Sequence, residues 1–335
     1  MKILIRQADL DQDLDLIRET HNANRDQPAD ARRFQWAYLG NPDGRAVAWF
    51  AVDEQSGQVA GVAAVHPRRV RLGCGHEVRA WNCGDLSVHQ RFRRLGIGRT
   101  LRGMARQAVD LGDPAFLYAH PNRVAARVHL ATGHQVLGRM VRYIRPLRIS
   151  GLGSLDALTS TALCCAGTDW LVHSTLEFEW LRAGSLPDEL TELYDQVARR
   201  LGTSVVRDRA YLEWRFMRNP VEQTELLIAR SRNHVQGYLA YALRDGYAVA
   251  KDWLAVDRTV WNELFAGWIR EMRRRDLAWV SLMALSTHPD LPALRSFGFV
   301  RRPGVTTAIV HASPSYRASV ATPEAWYMTA GDRDG

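Results

Sequence analysis

Lysine is nearly missing from this chain. Lys2 and Lys251 are the only two in 335 residues, so a net charge of +8 rests almost wholly on arginine. A basic balance raises nucleic acid as a partner. No zinc-finger spacing, helix-turn-helix pattern or aromatic-plus-basic RNA motif accompanies it, and nucleic acid is not expected to bind. The short runs Arg68 to Arg71 and Arg273 to Arg275 read as solvated faces. Cysteine is scarce too: Cys74, Cys83, Cys164 and Cys165 form no C-x-x-C pair and no ligand spacing with histidine, which leaves no disulfide framework and no metal to assign. Long apolar runs are also lacking. The longest weakly polar stretch, residues 157–168, lies between Asp156 and Asp169, short of the roughly 20 residues a spanning helix needs. The opening MKILIRQADLDQDLD carries no apolar core of signal-peptide length, so a cytoplasmic location is expected. With 46% hydrophobic and 24% charged residues the composition is globular, and the length suffices for two domains.

What is present is concentrated in VHQRFRRLGIGRT, Val88 to Thr100. Gly96 and Gly98 let the backbone turn with positive φ and approach a ligand, because no Cβ intrudes. Helical spacing follows at Leu101, Met104, Ala105, Ala108 and Leu111. The N–H groups ahead of it would therefore open a helix N-terminus, and with the helix dipole they make an anion site. Candidate phosphate contacts are Arg93, Arg94, Leu95, Gly96, Ile97, Gly98, Arg99 and Thr100, and Arg91 and Arg102 add mobile charge. WNCGDLSV, Trp81 to Val88, reads as the strand feeding this loop. A dinucleotide fingerprint is excluded because Leu101 stands at its third glycine, and a P-loop is excluded because no Gly-Lys-Ser/Thr follows.

Arg93-x-x-Gly96-x-Gly98, directly behind a strand ending at Val88, resembles the acyl-CoA pyrophosphate loop of the GNAT superfamily of N-acetyltransferases. Downstream, the strand AFLYA leads to Asn122, Ala125, His129, Gly133 and His134 at the spacing of that family's next helix, where aromatic residues usually fill the two histidine positions. The resemblance implies acetyl-CoA or another acyl-CoA as co-substrate, no metal, and direct attack by an amine without a covalent enzyme intermediate. It implies that the strand before the loop splays from its neighbour, so that main-chain N–H groups of Leu86, Ser87 and Val88 hold the pantetheine and polarise the carbonyl.

Aminolysis of a thioester also needs a proton for the departing thiolate and a neutral amine. His129 stands at the acid's position. An imidazole with a pKa of about 6.5 can protonate a thiolate whose acid has a pKa of about 8.5, and the same residue can equally cap or pack on its helix. Tyr118 and Tyr143 are reserves. Asp85 and His89 are candidate bases, with a turn or hydrogen-bonding residue behind Gly84 as the other reading of Asp85. Asn122 either caps its helix or bonds the pantetheine. Cys83 lies beside the acyl position, but the chemistry needs no thiol nucleophile.

The chain also resembles itself. RRFQWAYLGNP, ending at Pro42, matches AYLEWRFMRNP, ending at Pro220, 178 residues on, with Trp36 over Trp214 and Asn41 over Asn219. Leu86 and Val88 fall over Leu254 and Val256, and Gly133 over Gly298. The expected architecture is α/β, two tandem GNAT-like units, each with a mixed, mostly antiparallel central sheet flanked by helices. The boundaries read as a catalytic domain over residues 1–149, a linker at 150–172, a degenerate GNAT-like domain at 173–312 and a C-terminal tail at 313–335. The second copy has DRTVWNELFAGW in place of the glycine loop and Leu294 in place of His129, so one acyl-CoA site is expected, in the N-terminal unit. Trp36, Trp49, Trp81 and Trp214 read as core.

These readings converge on an N-acyltransferase, expected to be an N-acetyltransferase, acting on a primary amine of a small molecule. The arginine and tryptophan content is compatible with an anionic acceptor. Acyl transfer to a protein or from an acyl-carrier protein is the alternative within the enzyme class. A non-catalytic, CoA-binding regulatory or nucleic-acid-associated module is the alternative outside it. Homodimerisation is left open.

Overall fold

A computed structural model describes residues 2–148 and 167–333. Most of the expected linker, with Cys164 and Cys165, lies outside the described residues. The chain divides into two compact units. The first combines Met1–Gly138 with Thr306–Ala325 and Arg333–Gly335, and the second combines Arg139–Val305 with Trp326–Asp332.

The first unit runs β1 (Ile3–Gln7), α1 (Leu10–Asn22), α2 (Ala31–Phe34), β2 (Val47–Asp53), β3 (Val59–Arg71), β4 (Glu77–Val88), α3 (Ile97–Asp110), β5 (Phe116–Ala119) and α4 (Arg123–Ala131), then the opening of β6 (Gln135–Pro146). β1, β2, β3 and β4 pair antiparallel in sequence order, and β4 pairs parallel with β5. Local chemistry sets the helix starts: Asp9 and Asp30 accept the free N–H groups of α1 and α2. α3 is amphipathic, and its Ile97, Leu101, Ala105 and Val109 join Trp49, Val65, Trp81 and Leu117 in one core.

The second unit repeats the order with the rest of β6, then β7 (Glu177–Leu181), α5 (Glu189–Leu201), β8 (Ser204–Val205), α6 (Arg209–Leu212), β9 (Thr224–Ser231), β10 (His234–Arg244), β11 (Tyr247–Ala255), α7 (Arg258–Arg274), β12 (Trp279–Leu285), α8 (Leu291–Leu294) and the opening of β13 (Val300–Ala312). β7, β9, β10 and β11 are successively antiparallel, and β11 pairs parallel with β12. The duplicated sequence has a duplicated shape. Asp30 caps α2, which passes into a π-helical turn at Gln35–Leu39, and Asp208 caps α6, which passes into one at Glu213–Met217. Trp36 and Trp214 are both buried.

Two glycines refine the alignment of the copies. A Cβ on Gly61 would meet the Ser87 carbonyl at 2.8 Å and the Val88 Cα at 3.3 Å, and one on Gly237 would meet the Leu254 carbonyl and Ala255 Cα at the same distances. Ser87, not Leu86, therefore matches Leu254. Both copies carry a bulge here: β3–β4 pairing steps from Ala64↔Gly84 to Val62↔Ser87, and β10–β11 pairing from Tyr241↔Ala250 to Ala240↔Asp252.

Strand partners differ from the linear division at residue 149. From Met140 onward β6 pairs antiparallel with β12, both in the second unit. β5 is instead flanked by Ile309–Ala312 of β13, both in the first. Each unit thus receives its last antiparallel strand from the other half of the sequence. Neither arginine run is a solvated face throughout: Arg68 is buried and donates to the Pro67 carbonyl, and Arg273 pairs with the buried Asp169.

Candidate active site

β4 and β5 stay paired only through Ala80↔Phe116, Trp81↔Leu117 and Asn82↔Tyr118. β5 ends at Ala119 while β4 runs on to Val88, so residues 83–88 have β3 on one edge and no strand ladder on the other. The His89 N–H bonds the Ala60 carbonyl across β3. Strand alternation then turns Ser87 toward β3 and leaves the Val88 main chain on the open edge.

The bulge beside that edge is held from two sides. Asp85 sits at φ +45°, in the left-handed region that non-glycine residues rarely occupy. Its carboxylate takes two bonds from Arg33, at 2.9 and 2.8 Å, and one from the Tyr38 hydroxyl at 2.9 Å, with His21 Nε2 3.2 Å away. Burial alone would raise this carboxyl, yet the Arg33 and His21 charges and bonds hold it well below the usual carboxylate range. From the other side, Arg102 of α3 donates to the carbonyls of Ala64 and Gly84 at 2.9 and 2.6 Å. It is 2% exposed, so it is a clamp on the bulge and not part of the mobile charge expected around the loop.

The loop then opens α3. Arg94 and Gly96 both have left-handed backbone, at φ +67° and +80°, and a Cβ on Gly96 would meet nothing within 4 Å. The Gly96 carbonyl accepts from the amides of Arg99 and Thr100. The first-turn amides of Ile97 and Gly98 have no carbonyl one turn back within the helix and aim at its N-terminal end. Gly98 packs closely, its added Cβ reaching Val128 at 3.7 Å and Leu86 at 3.8 Å. Leu95, Arg93, Arg94, Arg99 and Thr100 are exposed, whereas Ile97 is buried in the core.

One residue that sequence reasoning missed joins strand and loop. Asn24 donates to the Ser87 hydroxyl at 3.1 Å and accepts from Arg93 at 3.1 Å. Ser87 in turn donates to the Thr20 carbonyl, and Arg93 Nε reaches the Val88 carbonyl at 3.3 Å. An asparagine in a polar loop carries no sequence signal for such a role.

The other predicted residues occupy structural positions. Asn122 caps α4, accepting from Val124 and Ala125 at 3.0 and 2.9 Å. His89 opens the turn at Gln90–Phe92, its Nδ1 accepting from the Arg91 N–H. His129 is 1% exposed. Burial, then the nearby Arg102 and His134, lower its pKa to about 2, so it carries no acidic proton near neutrality. Tyr118 is buried on β5, and Tyr143 lies in the core of the second unit. In that second unit, α7 starts at Asp257, whose own carboxylate accepts from the Val260 N–H at 2.8 Å. An anion already sits where the first unit presents bare amides.

Diverging parallel strands, a bulge on the longer one and a glycine-opened helix behind it define an acyltransferase-type site. Residues 12–133 match the acetyltransferase (GNAT) family. No curated protein matches the sequence. Among solved structures, a GCN5-related N-acetyltransferase from Anabaena variabilis is 17% identical, with a TM-score of 0.69 over 96% of this chain and 75% of that one. One from Kribbella flavida is 15% identical, with a TM-score of 0.67 over 96% and 74%. The N-myristoyltransferase of Saccharomyces cerevisiae, with myristoyl-CoA bound, is 13% identical, with a TM-score of 0.58 over 93% and 84%. At these identities the likeness is one of fold. Among the described residues, no helix is long and apolar enough to cross a membrane.

Proposed function

We propose that the first unit transfers an acyl group, acetyl in the simplest case, from acyl-CoA to a primary amine of a small molecule. The observation that carries this reading is the open edge of β4 beyond Asn82, set beside the bare amides at the start of α3. The open edge offers the Val88 main chain to a pantetheine, and the α3 amides, with Arg93 drawn up by Asn24, suit a pyrophosphate. Supporting one site per chain, the corresponding start of α7 is filled by Asp257. The reading includes a tandem origin for the two units and a cytoplasmic location.

It assigns Asp85, Ser87 and His129 positioning parts. Asp85 is committed to Arg33, Ser87 to Asn24 and Thr20, and His129 is sealed from solvent. Rate acceleration then rests on proximity and on main-chain polarisation of the thioester carbonyl, and the amine arrives already neutral. The test is thiol release from acetyl-CoA across a panel of amines. Turnover rising with pH along each amine's own pKa is expected, and no turnover with any acceptor would overturn the reading.

A further inference from the structure

Cys83, His129 and His134 meet in the interior of the first unit, brought together from β4, α4 and the turn into β6. One ligand atom of each, the Cys83 sulfur and a ring nitrogen of each histidine, lies within 4.8 Å of the others. The three residues are 4%, 1% and 4% exposed. Their wide separation in sequence is why no ligand spacing announces them.

Thr132 fixes the tautomer of one histidine. Its hydroxyl has a single proton, which goes to the His129 carbonyl at 2.7 Å, so its oxygen accepts from His134 Nδ1–H at 2.9 Å. The lone pair of His134 Nε2 is left bare. That atom and His129 Nδ1 are both buried with no hydrogen-bond partner among the described residues, and such buried polar atoms are costly to leave unsatisfied. The two rings stand edge to face, 4.8 Å between centroids at 85°. That contact accounts for the apolar surfaces of the rings, but it does nothing for the two nitrogens. Cys83 is not in a disulfide.

We propose that Cys83, His129 and His134 bind one thiophilic cation of the zinc class. A thiolate with two imidazoles is a ligand set such ions favour, and a hydrogen bond fixing the far nitrogen of a ligand histidine, as Thr132 fixes His134, is the usual outer support. Zinc bonds of about 2.3 Å to sulfur and about 2.0 Å to nitrogen put ligand atoms roughly 3.3–3.6 Å apart, so the side chains close by about 1 Å on the ion. Binding converts the Cys83 thiol to a thiolate and releases its proton to solvent. The thiolate also offsets the charge of Arg102, which bonds the carbonyl of the adjacent Gly84. The ion would pin α4 to β4 just below the bulge. This site is independent of the acyltransferase reading.

The test is metal content of the full chain grown with added Zn(II) or Co(II) and then desalted. The expected result is one ion per chain and, with Co(II), a thiolate-to-cobalt charge-transfer band. Cys83→Ser and His134→Ala should lose the ion, while Cys74→Ser, at an exposed cysteine, keeps it. Should the first two variants fail to fold, the cobalt band in the unaltered chain, and a lower thermal midpoint after chelation, decide the matter. Content well below one ion per chain with both metals, absence of the thiolate band, or an ion retained in folded Cys83→Ser overturns the proposal.

Discussion

Arg33 grips Asp85 with both terminal nitrogens, at 2.9 and 2.8 Å, and the two residues are only 7% and 6% exposed. Breaking one side of such a pair strands the other charge in the interior. Asp85→Asn is therefore expected to cost about 3–5 kcal/mol, read as a shift of the first unit's urea transition. Arg33→Met combined with Asp85→Leu should recover much of it. A single-variant loss below about 1 kcal/mol would mean that solvent reaches the pair and screens it.

Acid should destabilise the protein well above the carboxylate range. Burial lowers His66 to about 4 and His120 to about 3 in the first unit, and His288 to about 4 in the second. The unfolded chain binds protons at these residues from about pH 6.5 downward, whereas the folded chain does so only near the lowered values. Stability is thus complete above about pH 6.5 and is lost as pH falls through this window, about tenfold in the unfolding constant per pH unit per histidine. Asp85, held low, adds its own loss below about pH 4. Thermal midpoints from pH 8 to 4 check this, and a flat profile between pH 6.5 and 5 would contradict it.

Gly96 can be changed without a collision. Gly96→Trp places an indole before the α3 amides at the strain of a left-handed backbone, about 1–2 kcal/mol, with no atom displaced by its Cβ. Loss of CoA binding by at least about tenfold with an unchanged circular dichroism spectrum is expected, a factor equal to about 1.4 kcal/mol. Comparable changes at Thr259, beside the Asp257 cap of α7, should leave CoA binding untouched; if they abolish it, the site belongs to the other unit.

Asn24 should matter to binding more than to turnover. Asn24→Ala releases both Arg93 and Ser87. Losing bonds of about 0.5–1.5 kcal/mol predicts a KM for acyl-CoA raised about two- to tenfold with kcat retained. A fall in kcat at constant KM would move Asn24 into the chemical step.

Legibility in the sequence followed the range of the interaction. The phosphate loop could be read because its features are local: Gly96 needs positive φ, and Leu101, Met104, Ala105 and Ala108 repeat at helical spacing. The duplication could be read because Trp36 and Trp214 mark the same π-helical turn. Arg102 could not, since an arginine among arginines looks like surface until the carbonyls of Ala64 and Gly84 are seen to receive it. Asp85 was visible as a polar residue after a glycine, but Arg33, its partner, lies 52 positions away. The alternating residues Arg139 to Ile144 suit a strand, but nothing in that local pattern says which strand β6 pairs with.

That last choice reaches into how the protein is made. The second edge of β5 can be paired only once Ile309–Ala312 exists, although β1 to β4, on its other side, all lie before residue 89. At about 5–20 residues per second, roughly 10–35 s of synthesis separates the end of α4 from the emergence of that strand. The edge of β5 stays open meanwhile, so the unit proposed to carry the chemistry is finished among the last by the ribosome, and a chain stopped short of its final segment would be born with its active half incomplete.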